Sequence, residues 1–300
     1  MLKIAHIINP VNVNVASDLS FAQPITFETM RIAGEFAKND VTVQMLTVQY
    51  PEDHEIIPAF FRKLPDLKRS VLDIQTFKIK KKYPLINDIL LSLYEGTDCD
   101  YLIYTNSDIA IMPQFYLAVK GFIALGLDGF IINRRRVSSK FKSVNDIPLI
   151  WSEIGGPHPG FDCFVFHRSL VPKFILGNIC VGVPFVEAAL AYNLFAFCDS
   201  FRLFTDKHLT IHIGLEVMPV RDSEYHRFNQ EEFRKIFQEL RSKLTPERLP
   251  YSMLPFHRKV IKWGLNPAAF ILPNLEIELK GWWKRFKFIL NEIRWRWLAK

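Results

Sequence analysis

Apolar positions in the first half of the chain change period repeatedly, from short unbroken runs to three- and four-residue spacing and back. The run LKIAHIINPV, starting at Leu2, is closed by Asn-Pro and predicts a short buried strand. In PITFETMRIAGEFAK the residues Phe27, Met30, Ile32, Ala33 and Phe36 fall largely on one helical face, with Pro24 just ahead of the helix. DVTVQMLTVQY, from Asp40, returns to strand with partial alternation. A charged, Pro-bearing connection leads to KKYPLINDILLSLYEG, a helix with Pro84 near its first turn and Gly96 near its end.

A β-favouring run at 101–105 stops at Asn106-Ser107-Asp108, and a second apolar stretch occupies 109–112. Residues 113–126 have helical spacing, and 128–137 read as another strand. This βαβα alternation predicts an α/β fold around a mostly parallel sheet. Beyond residue 140 the pattern loosens. WSEIGGPHPG is a loop, FDCFVFHRSLV a strand and VPFVEAALAYNLF a helix, while FRLFTD and LTIHIG are short strands. Charged helical spacing covers 223–245, and a Pro-interrupted, then helical, tail follows.

Composition leaves this picture intact. Of the 300 residues, 49% are hydrophobic and 23% charged, as in an ordinary globular chain with a sizeable core. The start of the chain has no signal-peptide pattern, and no apolar run is long enough to span a bilayer. The four cysteines show no CxxC spacing, so a reduced, cytoplasmic protein is the expectation.

Charge does change the picture once it is located. Residues 257–300 hold ten Lys/Arg against three Glu, which accounts for the whole net charge of +7. Five of the six tryptophans lie there too. The chain therefore reads as a main domain over 1–220 and a helical, basic, Trp-rich extension over 221–300.

The chain has no GxGxxG, no GxxxxGK[ST] and no GxSxG, which removes support for the commonest dinucleotide, P-loop and hydrolase chemistries of α/β sheets. Asn106-Ser107-Asp108 ends a strand, and ligands of open α/β sheets bind outside carboxyl strand ends. Asp108 there either caps a turn or, with the amide oxygen of Asn106, offers hard oxygen ligands to Mg²⁺ or Mn²⁺. GGPHPGFDCFVF places Gly155, Gly156, His158 and Asp162 directly before a strand, where glycines let backbone approach a ligand closely. Glu187 lies in a helix among apolar neighbours, and His212 ends a short strand. For Glu187 the alternative is a packed stem with a solvated head, and for His212 a satisfied core imidazole.

In this order the four stretches resemble the nucleotide-sugar glycosyltransferases of the GT-A fold, over about residues 1–220. The resemblance implies a Rossmann-like domain and a nucleotide-diphosphate sugar as donor. Asn106, Ser107 and Asp108 match the family's DxD motif, and Asp108 and His212 would hold Mn²⁺ or Mg²⁺. Gly155, Gly156, His158 and Asp162 would form the acceptor side, and Glu187 or Asp162 would be the base. Asn106 departs from the acidic pattern and puts metal dependence in question. The rival reading is a non-catalytic binding or membrane-scaffold protein on the same fold.

Arg134, Arg135 and Arg136 end the strand that follows; alternation turns Arg135 away from its neighbours, and Arg134 is the candidate to face a phosphate. KIKKKY, before the Pro84 helix, is either a nucleotide contact or a solvated charge run. In the tail, Trp282, Phe286, Ile289, Ile293 and Trp297 recur at three- and four-residue steps among Lys and Arg. Such a helix suits an anionic membrane surface and a lipid-linked or glycan acceptor. Docking on the domain is the second reading. Nucleic acid is the least favoured partner, because the remainder of the chain is charge-neutral.

Overall fold

The computed structural model describes residues 1–213 and 224–298, giving only the backbone for 291–298. Its centre is a seven-stranded sheet. The strands β1 (Leu2–Ile8), β2 (Val41–Thr47), β3 (Arg62–Lys63), β4 (Tyr101–Thr105), β6 (Gly129–Ile132), β9 (Cys163–His167) and β10 (Phe201–Phe204) lie in the order β10-β6-β9-β4-β1-β2-β3. Every neighbouring pair is parallel except those made by β9, which runs antiparallel to both β4 and β6. A second, four-stranded sheet has the order β5-β11-β7-β8, from β5 (Ile109–Ile111), β7 (Arg135–Arg136), β8 (Gly156–Pro157) and β11 (Thr210–His212).

Both faces of the large sheet are covered, which is why its strands are apolar throughout. Alternation sends Ala5, Ile7, Leu102, Tyr104, Ile131, Phe164 and Phe166 to one face. There they meet α2 (Ile86–Gly96), α5 (Val186–Phe197) and α6 (Glu224–Leu240). Ile4, Ile8, Ile103, Phe130, Ile132 and Val165 point the other way, onto α1 (Leu19–Ala37) and α3 (Phe115–Ala124). A short α4 (Ile147–Ser152) packs beside α1 and the small sheet. Two further helices, α7 (Phe256–Leu265) and α8 (Ile271–Leu298), complete the chain, and their Trp263 and Ile277 belong to the same core as α5 and α6.

The α1 helix starts at Leu19, so Pro24 lies inside it and not ahead of it. The extra turn is held from outside the helix. Gln23 is buried and its amide both accepts from the Val11 N–H at 2.9 Å and donates to the Val11 carbonyl at 2.8 Å. Phe36, expected on the core face, is 57% exposed; Ala33 and Ala37 take that side against the sheet. The lysine run ahead of α2 is exposed, and Lys82 pairs with Glu52 at 2.7 Å over the Tyr50 ring.

Candidate active site

Three strand ends meet at one edge of the large sheet. Cys163 of β9 is in register with Thr105 on one side and Ile132 on the other. Because β9 is antiparallel to both, the residue before Cys163 and those after Thr105 and Ile132 emerge together. These are Asp162, Asn106 and Asn133.

From Asn106 the chain turns at once, the Ile109 N–H donating to the Asn106 carbonyl at 3.3 Å, and enters β5. β5 pairs antiparallel with β11, placing Ile109 opposite His212, and the Ile213 N–H donates to the Asp108 carbonyl at 3.0 Å. The result joins residues about 100 positions apart: His212 Nε2 lies 3.2 Å from Asp108 Oδ2. Asp108 Oδ1 and His212 Nδ1 are buried without a hydrogen-bond partner among the described residues. Ser107 is buried, and the Asn106 amide oxygen accepts from the buried Tyr104 hydroxyl at 3.0 Å.

The arginines take separate tasks. Arg134 forms an ion pair with Asp162, and its carbonyl accepts from the His158 N–H at 3.1 Å. Burial pushes the Asp162 carboxyl up, and the Arg134 guanidinium and His212 pull it back down. Asp162 Oδ2 is buried with no hydrogen-bond partner among the described residues. Arg135 turns the other way and donates to the carbonyls of Ile154 and Gly155, clamping the glycine-bearing loop. Gly155 has φ +63°, and a Cβ there would collide with the Arg136 carbonyl, so the loop needs glycine at this point. Gly156 pairs with Arg136 between β8 and β7, and His158 Nδ1 accepts from the Gly160 N–H at 3.0 Å.

Glu187 sits in the first turn of α5, two residues after Phe185, whose φ of +88° is unusual for a bulky residue. Its side chain is only partly open. Burial pushes its carboxyl up to about 7; its own helix turn lowers it, Asp162 raises it, and Arg134 and Asp108 act with opposite signs. Asp162, Arg134 and Asp108 are thus near enough to Glu187 to act on its charge. The buried Tyr104 hydroxyl is raised by desolvation, then by Glu187 and Asp108.

The structure thus gathers Asn106, Asp108, Arg134, Asp162, Glu187 and His212, with Gly155, Gly156 and His158 on the adjoining loop. Among the described residues no three His, Cys, Asp or Glu side chains are grouped to hold an ion, so Asp108 and His212 stand as a pair. Sequence reasoning missed Tyr104, the Arg135 clamp and Asn133. Asn133 is buried, its Nδ2 donates to the Pro159 carbonyl at 3.1 Å, and its Oδ1 has no partner among the described residues. An amide directly after an apolar strand was the available signal for it. A separate cleft of about 360 Å³, lined by Val11, Asn12, Gln23, Phe27 and Phe60, opens beyond β1, the strand beside β4, and none of the gathered residues lines it.

No protein-family model matches the sequence, and no curated protein matches it. Solved structures do. The chain is similar to mannosyl-3-phosphoglycerate synthase from Rubrobacter xylanophilus, at 15% identity and a TM-score of 0.50, over 85% of this chain and 78% of that one. It is also similar to TarS 1–349 from S. aureus in complex with UDP-GlcNAc, at 10% identity and a TM-score of 0.47, over 87% and 70%. A third is glucosyl-3-phosphoglycerate synthase from Mycobacterium tuberculosis in complex with Mn²⁺, UDP-glucose and phosphoglyceric acid, at 13% identity and a TM-score of 0.45, over 81% and 79%. At 15% identity the likeness to mannosyl-3-phosphoglycerate synthase is one of fold. The fold class expected from the sequence, a mostly parallel α/β sheet with C-terminal helices, is the one observed.

Proposed function

We propose that the protein is a glycosyltransferase that moves a sugar from a nucleotide-diphosphate sugar to a hydroxyl acceptor. One observation carries the reading: Asp108, His212, the Arg134–Asp162 pair and Glu187 converge at the carboxyl edge of the sheet, where α/β folds bind ligands. Mannosyl-3-phosphoglycerate synthase, named for transfer of a sugar, shares the fold.

In the reaction the bond between the sugar C1 and the diphosphate oxygen breaks and a bond from C1 to the acceptor oxygen forms. The acceptor proton goes to a carboxylate, and the diphosphate leaves with both bonding electrons. Glu187 fits the base role, because a carboxyl near 7 is matched to taking a proton at neutral pH. Asp162 fits it less well, since it is buried and committed to Arg134. Arg134 serves the cleft by holding Asp162 and the loop bearing His158, so phosphate contact is a secondary role for it. The Tyr104 hydroxyl fixes Asn106 by donating to its amide oxygen.

Asp108 and His212 would hold Mn²⁺ or Mg²⁺. The facing atoms Asp108 Oδ2 and His212 Nε2, 3.2 Å apart, are spaced to share a cation, and two protein ligands suffice where substrate phosphates supply others. When bound, such an ion neutralises charge on the departing diphosphate. The nucleoside would extend along the β4–β1 edge toward the cleft beyond β1, which is of a size for a small ligand. The acceptor, a glycan or lipid-linked hydroxyl, would enter past Gly155, Gly156 and His158.

The test is release of nucleoside diphosphate from a panel of nucleotide-diphosphate sugars with Mn²⁺, compared with Glu187→Gln. Turnover that the substitution removes, at unchanged nucleotide affinity, supports the reading. Nucleotide-sugar binding without turnover from any donor would instead favour the non-catalytic alternative.

A further inference from the structure

The body of the protein anchors one side of α8 firmly. Tyr192 donates to Asn274 at 2.6 Å, Lys259 of α7 pairs with the buried Glu278 at 2.6 Å, and Ile277 lies in the core. With that side fixed, the opposite side of α8 is turned outward over 271–281, and from Trp282 to Leu290 the helix is exposed on every side, Phe288 opposite the stripe included. Leu272, Leu279, Trp283, Phe286 and Leu290 follow at seven-, four-, three- and four-residue steps, which is one helical stripe. All five are between 48% and 80% exposed. Trp282 and Ile289 widen the stripe on one flank and are exposed as well. This is broader than the face read from the sequence, and it shares Trp282, Phe286 and Ile289 with it. Ile293 and Trp297 lie outside the described side chains.

The apolar surface continues onto α7. The Phe256 and Trp282 rings are 6.0 Å apart, and Ile261 and Leu265 of α7 are also exposed. Lys280, Lys284 and Lys287 line the other flank of the α8 stripe, in the stretch that carries the net charge of +7. A second copy of this face would set those cations against their own kind. An anionic bilayer complements them, and tryptophan beside lysine suits the headgroup boundary. No described helix is long and apolar enough to cross a membrane, so the pair would lie on its surface.

The α7–α8 connection is also next to the candidate site. Phe270 stacks on Phe185, two residues before Glu187, at 5.2 Å between ring centroids. A Cβ added at Gly160, in the acceptor-side loop, would lie 3.7 Å from Cγ of Pro267.

We propose that α7 and α8 dock the protein on an anionic bilayer surface and bring the acceptor side of the cleft alongside it. The docking stands independently of the transfer reading, whereas the placement of an acceptor rests on it.

The experiment is co-sedimentation of the full chain with vesicles of phosphatidylcholine, with and without phosphatidylglycerol. The expected result is binding only to the anionic vesicles, weakening as salt rises from about 0.05 M to about 0.5 M. The triple substitution Trp283→Ser, Phe286→Ser and Leu290→Ser should weaken binding more than about tenfold, since it removes three membrane-facing apolar side chains. Lys284→Glu with Lys287→Glu, which keeps the stripe, should remove most of the salt-sensitive part. An unchanged melting temperature shows that each variant is folded. Absence of binding at low salt, or full binding by both variants, would overturn the proposal. So would a wild-type dimer that the triple substitution dissolves, since a second copy would then own the face. No turnover is measured, so failure here leaves the transfer reading standing.

Discussion

Glu187→Gln should raise the stability of the protein at alkaline pH while lowering its turnover. The carboxyl is pushed from 4.5 to about 7 by burial, so the folded state binds its proton more tightly than the unfolded chain does. Below 4.5 both states are protonated and the group contributes nothing to the pH dependence. Between 4.5 and 7 the unfolded chain releases its proton first, and stability falls as pH rises. Above about 7 the folded state carries a partly desolvated charge at full cost. At about 1.4 kcal/mol per unit the shift corresponds to a ceiling of about 3.5 kcal/mol. Part of the side chain is open and solvent screens it there, which brings the expected effect to roughly 1–2 kcal/mol. Glutamine keeps the shape and removes the charge. Urea denaturation at about pH 5 and about pH 8 should therefore show a variant close to the parent at the lower pH and more stable at the higher. Turnover of the parent should rise through a pKa near 7, and the variant should lack that limb. A variant equally stable to the parent at both pH values, or destabilised at both, would refute the claim that this carboxyl is buried at a cost.

Further outcomes follow from neighbouring residues. Arg134→Met leaves Asp162 buried without its cation and should cost about 3–5 kcal/mol in urea denaturation, while adding Asp162→Asn should restore a large part of it. Gly155→Ala places a Cβ against the Arg136 carbonyl at positive φ; a loss of at least about 1 kcal/mol and a raised acceptor KM are expected, with donor KM near that of the parent. Asp108→Ala should abolish the rise in melting temperature that Mn²⁺ gives in the presence of a nucleoside diphosphate, and calorimetry should show ion binding weakened more than about tenfold.

Local pattern was enough to read much of this molecule. Apolar runs and helical spacing marked most strands and helices, because each element buries one face or both and its period records which. They also put Asn106 and Asp108 at a strand end, where the backbone must turn. Position along the chain could not reveal the reversed direction of β9. That reversal decides the site, since the register of Cys163 with Thr105 and Ile132 brings Asp162, Asn106 and Asn133 to one edge. Pairing between distant strands likewise joins His212 to Asp108, and only packed side chains assign Arg134 to Asp162 and Arg135 to the loop. The α1 start shows the same limit: Pro24 read as a boundary, yet contacts between Gln23 and Val11 carry the helix past it. In the tail the sequence determined a basic helix rich in tryptophan. Which side of its first turns faces outward was decided by Asn274, Ile277 and Glu278, because a helix with apolar residues on several sides takes its orientation from whichever side the body buries.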